Sequence, residues 1–360
     1  MTDPLALVRP DLRSFTPYEH AVYDTGLSRL HANESCWRHA FDDCEPGLNV
    51  YPDPQPDGLL SRLADLYGLA PTRVLLTRGS DDGIDVLARA CCRAGEDPIL
   101  ICSPTFGMYA VAARIQGARV IDVPLIEAEG FALDESAVIA AALAEGARLV
   151  FLCSPNNPTG NALEPAVVAR ICGALADQAI VVVDEAYGEF SATVSALSLL
   201  DEFGNLVVLR TLSKAYALAG ARLGVLAGAP ALLSLLRTLL PPYLIPTPSL
   251  AAAETLLTPE SLARARAEID ATLARRGELA AGLAALDAVE QVWPSDTNFL
   301  LVKCREARPV IDACREQRLL VRDFSRQPGL EGCLRVTVGS ADEVGRVLRA
   351  FASAGGSRAA

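Results

Sequence analysis

The sequence predicts an α/β fold, with a seven-stranded, mainly parallel sheet in a large domain and a smaller α+β domain after it. Three observations carry this reading. Between about residues 72 and 228, short β-rich runs alternate with helix-like runs. Several of the β-rich runs are continuously apolar, as strands buried on both faces are. After Pro241 the pattern changes, and strands and helices follow in a different rhythm.

The elements follow in order. The strand candidates of the first part are VLLT (74–77), ILIC (99–102), VIDVPL (120–125), LVFLC (149–153), IVVVD (180–184), LVVLRT (206–211) and LGVLAG (223–228). Helical stretches such as GIDVLARACCRA and EPAVVARICGALADQ fall between them. In such a sheet the site is expected at the carboxyl ends of the strands. The prolines of PPYLIPTPS prevent helix continuation. A long Ala/Leu/Arg/Glu-rich helix follows at about 259–286, then strands VEQVW, NFLLVKC, LLVRDF and CLRVTVG, with helices around 307–317 and 341–354. A chain of 360 residues exceeds the roughly 250–300 at which one core stops growing, which also favours two domains. The expected division is an N-terminal segment, 1–45, lying over both domains, a large domain, 46–240, and a small one, 241–360.

Composition narrows the function. Half the residues are hydrophobic and about a fifth charged, an ordinary globular mixture. The net charge of -12 gives no general attraction for nucleic acid or anionic membrane. No apolar stretch is long enough to span a bilayer, and MTDPLALVRPDLRSF lacks the apolar run of a signal peptide. The ten cysteines form no C-x-x-C pair, and several sit in apolar runs. A reducing cytoplasm is the expected location.

Two scarcities matter more. Histidine occurs only at 20, 31 and 39, which removes the usual hydrolase triad orders. Lysine occurs only at 214 and 303, against 30 arginines. A lysine kept in such a background is a candidate for chemistry that arginine cannot do. An amine can lose its proton and attack a carbonyl to form an imine.

The strand ends then supply candidates. VLLT runs into RGSDDGIDVL, where Ser80 and Asp81 open a helix whose free N–H groups suit an anion. Taken alone, a plain N-cap explains these residues as well. LVFLC ends in SPNNPTG, where Asn157 can donate to a phenolate-like oxygen, although the loop by itself reads as a β-turn. IVVVD ends in Asp184, a carboxylate after four apolar residues that is costly without a partner. That partner is a protonated ring nitrogen, an arginine or a metal, or the residue is a helix N-cap. No His/Cys/carboxylate spacing nearby supports a metal site. LVVLRT leads to LSKAYALAGARLG, where Ser213 and Arg222 flank Lys214 and could hold a phosphate. Lys303 in LLVKCRE reads as an ordinary strand-end charge.

In combination these segments resemble the fold-type I pyridoxal-phosphate enzymes, the aspartate aminotransferase superfamily. The finer similarity is to the histidinol-phosphate aminotransferase family, a class-II branch. It rests on FTPYEH, LHANES, YPDPQP, RGSDDGID, SPTFGMY, CSPNNPTG, VVVDEAY, RTLSKAYALAGARLG, DTNFLLVK, LLVRDF and GCLRVTVG, spread from residue 15 to 339.

The resemblance implies pyridoxal 5'-phosphate as cofactor, held by Lys214 as a Schiff base. It implies that Asp184 pairs with the pyridinium nitrogen, that Asn157 and Tyr187 bond the ring oxygen, and that Tyr109 stacks on the ring. Ser80, Asp81, Ser213 and Arg222 would hold the cofactor phosphate. Tyr51 would reach the cofactor of a second subunit, which implies a homodimer. Tyr18, Asn33, Arg322 and Arg335 would meet substrate, Arg335 taking the glutamate carboxylate and, with Arg322, the phosphate of histidinol phosphate. The implied reaction converts histidinol phosphate and 2-oxoglutarate to imidazole acetol phosphate and glutamate, in histidine biosynthesis. Alternatives are an aromatic-amino-acid aminotransferase and a threonine-phosphate decarboxylase. A cofactor-sensing DNA-binding regulator fits less, because the motifs begin near residue 15 and the chain is acidic. His31 and Phe106 depart from the family pattern, where Asn and Tyr are expected.

Overall fold

The structure is a computed structural model and describes residues 3–16 and 27–355. Its first sheet has strands β1 (Val74–Thr77), β2 (Ile99–Ile101), β3 (Val120–Asp122), β4 (Leu149–Cys153), β5 (Ile180–Asp184), β6 (Leu206–Thr211) and β7 (Gly224–Ala227). They lie in the order β1-β7-β6-β5-β4-β2-β3. Pairing is parallel from β6 through β5, β4 and β2 to β3, and only β7 runs antiparallel to its neighbours. The expected seven-stranded, mainly parallel sheet is therefore present.

Its continuously apolar strands are explained by two cores. Phe151, Ile180 and Val182 pack into one, and Leu152, Val181 and Val183 into the other, because successive side chains leave opposite faces. The helices covering these faces and the chain beyond are α1 (Asp57–Tyr67), α2 (Ser80–Cys91), α3 (Met108–Gln116), α4 (Glu135–Glu145), α5 (Pro165–Ala174), α6 (Pro230–Leu239) and α7 (Thr247–Leu256). Leu7 and Val8 of the N-terminal segment insert into the first core, and the Arg9 N–H donates to the Ala90 carbonyl at 2.9 Å.

The long helix α8 (Pro259–Ala284) leads into a second sheet. That sheet has β8 (Val289–Val292), β9 (Phe299–Cys304), β10 (Arg322–Asp323) and β11 (Cys333–Thr337), with α9 (Ala307–Glu316) and α10 (Ala341–Gly355) packed on it. The order is β10-β11-β9-β8, all antiparallel. Two strands are shorter than their apolar runs suggest. β3 ends at Asp122, although Val123 and Leu125 still donate to the Ile101 and Ser103 carbonyls at 3.0 and 2.7 Å on either side of Pro124. LLVRDF pairs only through Arg322 and Asp323, because Arg318 turns the chain with φ 57° and leaves Leu320 exposed.

One topological detail decides where the site forms. The carboxyl ends of β1, β2, β4, β5 and β6 share one edge of the sheet. Antiparallel β7 begins at that same edge, so the turn before it is delivered there as well.

Candidate active site

A cleft with about 600 Å³ of free space, open to solvent, lies at this edge. It is lined by Ser80 and Asp81 after β1, Phe106 after β2, Cys153 and Asn157 from β4, Asp184 and Tyr187 from β5, Thr211, Ser213 and Lys214 from β6, and Arg222 before β7. Most of the residues singled out from the sequence are thus brought together.

The anion end is built from backbone. Helix α2 starts after Gly79 with no side chain capping its first turn, so those N–H groups stay open. Gly79 has φ 79°, and a Cβ there would lie 2.8 Å from Arg222 Nη2. Across from it, a Cβ on Gly224 would lie 2.5 and 2.7 Å from the Gly79 carbonyl carbon and Ser80 nitrogen. Only a glycine lets β7 pass so close under the helix start. Arg222 occupies the left-handed region at φ 57° and donates to Asp81 Oδ2 at 3.2 Å. Its guanidinium, the Ser80 and Ser213 hydroxyls and the free N–H groups converge on one side of the cleft. Thr211 bonds the Ser213 hydroxyl at 2.9 Å and accepts from the Ser213 N–H at 3.2 Å, which fixes the turn leading to Lys214.

Asp184 stands at the floor and is 2% exposed. Burial pushes its pKa up to about 6, although the Tyr109 hydroxyl and the Ala186 N–H both favour the ionised form. Those donors sit at 2.8 Å from Oδ2 and 3.1 Å from Oδ1. Lys214 is solvent-exposed within the cleft. Its own desolvation and then the charge of Arg335 lower its pKa, with Asp81 opposing. Its Nζ lies 5.7 Å from the centre of the Tyr187 ring. Tyr187 is pushed up by burial and packs edge-on against Phe299 at 5.1 Å.

The second sheet reaches the cleft's edge through Arg335, although neither Arg335 nor Arg322 lines the cleft itself. Arg335 on β11 donates to Asn157 Oδ1 and lies 5.2 Å over Phe299 and 5.4 Å over Phe324. Its pKa is lowered by desolvation, and Arg322 acts in the same direction. The two arginines are directly opposed in the β10–β11 register, with Arg322 exposed and 5.9 Å from the Phe324 ring.

One expectation is corrected. Tyr109 does not face the cleft. It is fully buried beneath the floor, stacked on Phe151 at 4.7 Å, and its hydroxyl is committed to Asp184. The aromatic side chain that lines the cleft is Phe106, which meets Tyr109 edge-on at 5.6 Å. The phase of α3 is the reason. It begins at Met108, and Tyr109 turns into the core with Ala112 and Ala113. Asn33 is exposed with φ 55° and Tyr51 is half-exposed, stacked on Tyr243 at 4.3 Å; neither lines this cleft. Tyr18 lies outside the described residues. Cys153 and Thr211 line the cleft without having been singled out in the sequence. Thr211, a hydroxyl on the last residue of β6 and two before Ser213, could have been read from RTLSK. Among the described residues no group of His, Cys, Asp and Glu could hold a metal ion, and no helix is long and apolar enough to cross a membrane.

The profile of the class I and II aminotransferases matches residues 28–351, and the chain belongs to that family. Within it, the chain is 46% identical over 350 residues to a histidinol-phosphate aminotransferase of Xanthomonas euvesicatoria pv. vesicatoria, covering 96% of each. A histidinol-phosphate aminotransferase of Stenotrophomonas maltophilia is 45% identical over 354 residues, 98% of this chain and 97% of that one. Among solved structures, the histidinol-phosphate aminotransferase of Sinorhizobium meliloti in complex with pyridoxal-5'-phosphate superimposes with a TM-score of 0.76 at 26% identity, over 86% of this chain and 83% of that one. An L-threonine-O-3-phosphate decarboxylase from Porphyromonas gingivalis shares the fold at TM-score 0.71 and 24% identity, over 85% of this chain and 90% of that one.

Proposed function

We propose that the chain is a pyridoxal-phosphate-dependent aminotransferase that moves the amino group of histidinol phosphate to 2-oxoglutarate, giving imidazole acetol phosphate and glutamate, a step of histidine biosynthesis. The observation that carries the reading is one strand edge holding three things at once: an anion cradle, a buried carboxylate and, lining the same cleft, an amine whose pKa is lowered. Relatives of the same name match nearly the whole chain.

The cleft fits the cofactor. The cradle of α2 N–H groups, Ser80, Ser213 and Arg222 suits a phosphate. Asp184, buried with neutral donors only, suits a cationic ring nitrogen. Phe106 offers the ring a face, and Tyr187 and Asn157 offer donors for its oxygen. When bound, pyridoxal phosphate supplies an aldehyde carbon open to amines and an electron-poor ring that stabilises charge at the substrate carbon.

The chain's own residues do the rest. Lys214 Nζ would hold the cofactor through its amine, and the same amine would serve to move a proton at the reacting carbon. A lowered pKa keeps more of it as free base at neutral pH, as that task needs. Arg335 takes the carboxylate of glutamate or 2-oxoglutarate, in place of its present bond to Asn157. Arg322, directly opposite, joins it for a phosphate. Tyr51, which does not line its own cleft, would reach the cofactor phosphate of a second copy in a homodimer.

The test is spectroscopic. Histidinol phosphate added to the yellow, cofactor-loaded protein should abolish the visible band, and 2-oxoglutarate should restore it with formation of glutamate. A band that persists, or carbon dioxide release without an oxo-acid acceptor, contradicts the proposal.

A further inference from the structure

We propose that Tyr109 is a positioning residue for Asp184: its phenol proton holds one carboxylate oxygen from below and keeps the group ionised and aimed at the cleft. The inference rests on the reading of Asp184 as the partner of the cofactor's ring nitrogen.

The geometry is specific. Tyr109 is fully buried, and its ring is nearly parallel to Phe151, 4.7 Å away at 5°. That stack leaves the hydroxyl little freedom, and it meets Asp184 Oδ2 at 2.8 Å. The other oxygen accepts from the Ala186 N–H at 3.1 Å. Each carboxylate oxygen therefore has a neutral donor, and the carboxylate retains lone pairs for the cleft. The phenol is suited to donate only. Burial and the nearby Asp184 charge push its pKa well up, so it keeps its proton throughout the working range. A hydrogen bond to the charged form favours that form. Without it, burial acts on Asp184 unopposed by any side-chain donor.

Other groups act on Asp184 too. Asp81 on α2 and Glu185 next to it raise its pKa. Cys153 and Tyr187 are close enough to be influenced by its charge, and Lys214 faces it across the cleft. Among the side chains acting on Asp184, Tyr109 alone both hydrogen-bonds the carboxylate and favours its charge.

The test follows the Asp184 carboxyl by ¹³C NMR against pH in the full-length protein without cofactor, with Asp184→Asn identifying the signal. Tyr109→Phe keeps the ring and its stack while removing the proton. It should raise the Asp184 midpoint by about one pH unit or more and weaken pyridoxal-phosphate retention several-fold. Phe151→Leu removes the stack and should lower the melting temperature while moving the midpoint far less. An unchanged midpoint in Tyr109→Phe overturns the proposal. The unmodified protein gives a second reading, independent of any variant's folding. The Tyr109 Cζ resonance should shift with the same midpoint as Asp184, and its failure to do so also overturns the proposal. The underlying reading fails separately, if Asp184→Asn retains cofactor and turnover undiminished.

Discussion

The same two strand ends carry charge on both faces of the sheet, and the two faces treat it in opposite ways. On the cleft side, Asp184 has only neutral donors, and Lys214 has a lowered pKa and no ion-pair partner within bonding reach among the described residues. On the far side, Arg210 of β6 lies between two carboxylates, 2.6 Å from Glu185, the residue after Asp184, and 2.7 Å from Glu189. Its guanidinium also covers the Tyr67 ring at 5.0 Å. Glu185 accepts further from the Ser195 hydroxyl and the Ala196 N–H. The far side neutralises its buried charge internally and ties β5 to β6. The cleft side leaves its charge to be matched by a ligand.

The comparison can be broken by exchanging the treatments. The largest effect is expected on the closed side. Arg210→Met leaves Glu185 and Glu189 buried without a cation, and should destabilise the protein by about 3–5 kcal/mol in denaturant unfolding. A loss under about 1 kcal/mol there would mean the cluster is not the staple described. On the open side the sign reverses. The folded pKa of Asp184 lies above its ordinary value, so its contribution to stability is full below pH about 4 and is lost as pH rises through about 6. Asp184→Asn removes that loss. The cofactor-free variant should be more stable than the parent at neutral pH, by up to about 3 kcal/mol, and flatter across pH 4–6. Its turnover should collapse at the same time. A variant less stable at pH 7 than at pH 4, relative to the parent, would contradict the sign.

A smaller effect is expected at the cradle. Gly224→Ala drives a methyl group into the start of α2. It should cost about 1–3 kcal/mol and weaken phosphate retention, measured as cofactor affinity, more than it changes KM for the oxo-acid. The smallest effect calibrates the rest. Arg119 and Glu145 pair at 2.6 Å with both side chains about half exposed. Arg119→Ala should shift stability by less than about 1 kcal/mol and leave turnover alone.

Much of the open side was legible because it is written at strand ends. Lys214, Asp184, Asn157, Ser80 and Arg222 each follow or precede a run of β residues, and a parallel sheet gathers such positions at one edge. The closed side was not legible. Glu185 and Arg210 meet only because β5 pairs with β6 in a register that sets Asp184 opposite Leu209, and no local motif states that pairing. Tyr109 was misplaced for a related reason. Phe106 and Tyr109 lie three residues apart at a helix start, and the helix phase decides which of them faces the cleft. Arg322 and Arg335 could be named as a pair from the sequence, but their direct opposition depends on the two-residue strand β10, which the longer apolar run LLVRDF did not mark.

The proposed function makes Lys214 the amine that holds the cofactor. The chain has one other lysine, Lys303, on the second sheet and 3.6 Å from Glu127. The most direct measurement reduces the loaded protein with borohydride, digests it, and locates the added pyridoxyl mass by peptide sequencing in a mass spectrometer. The label is expected on Lys214 and not on Lys303; a label on Lys303, or a yellow protein in which neither lysine is labelled, would rule Lys214 out as that amine.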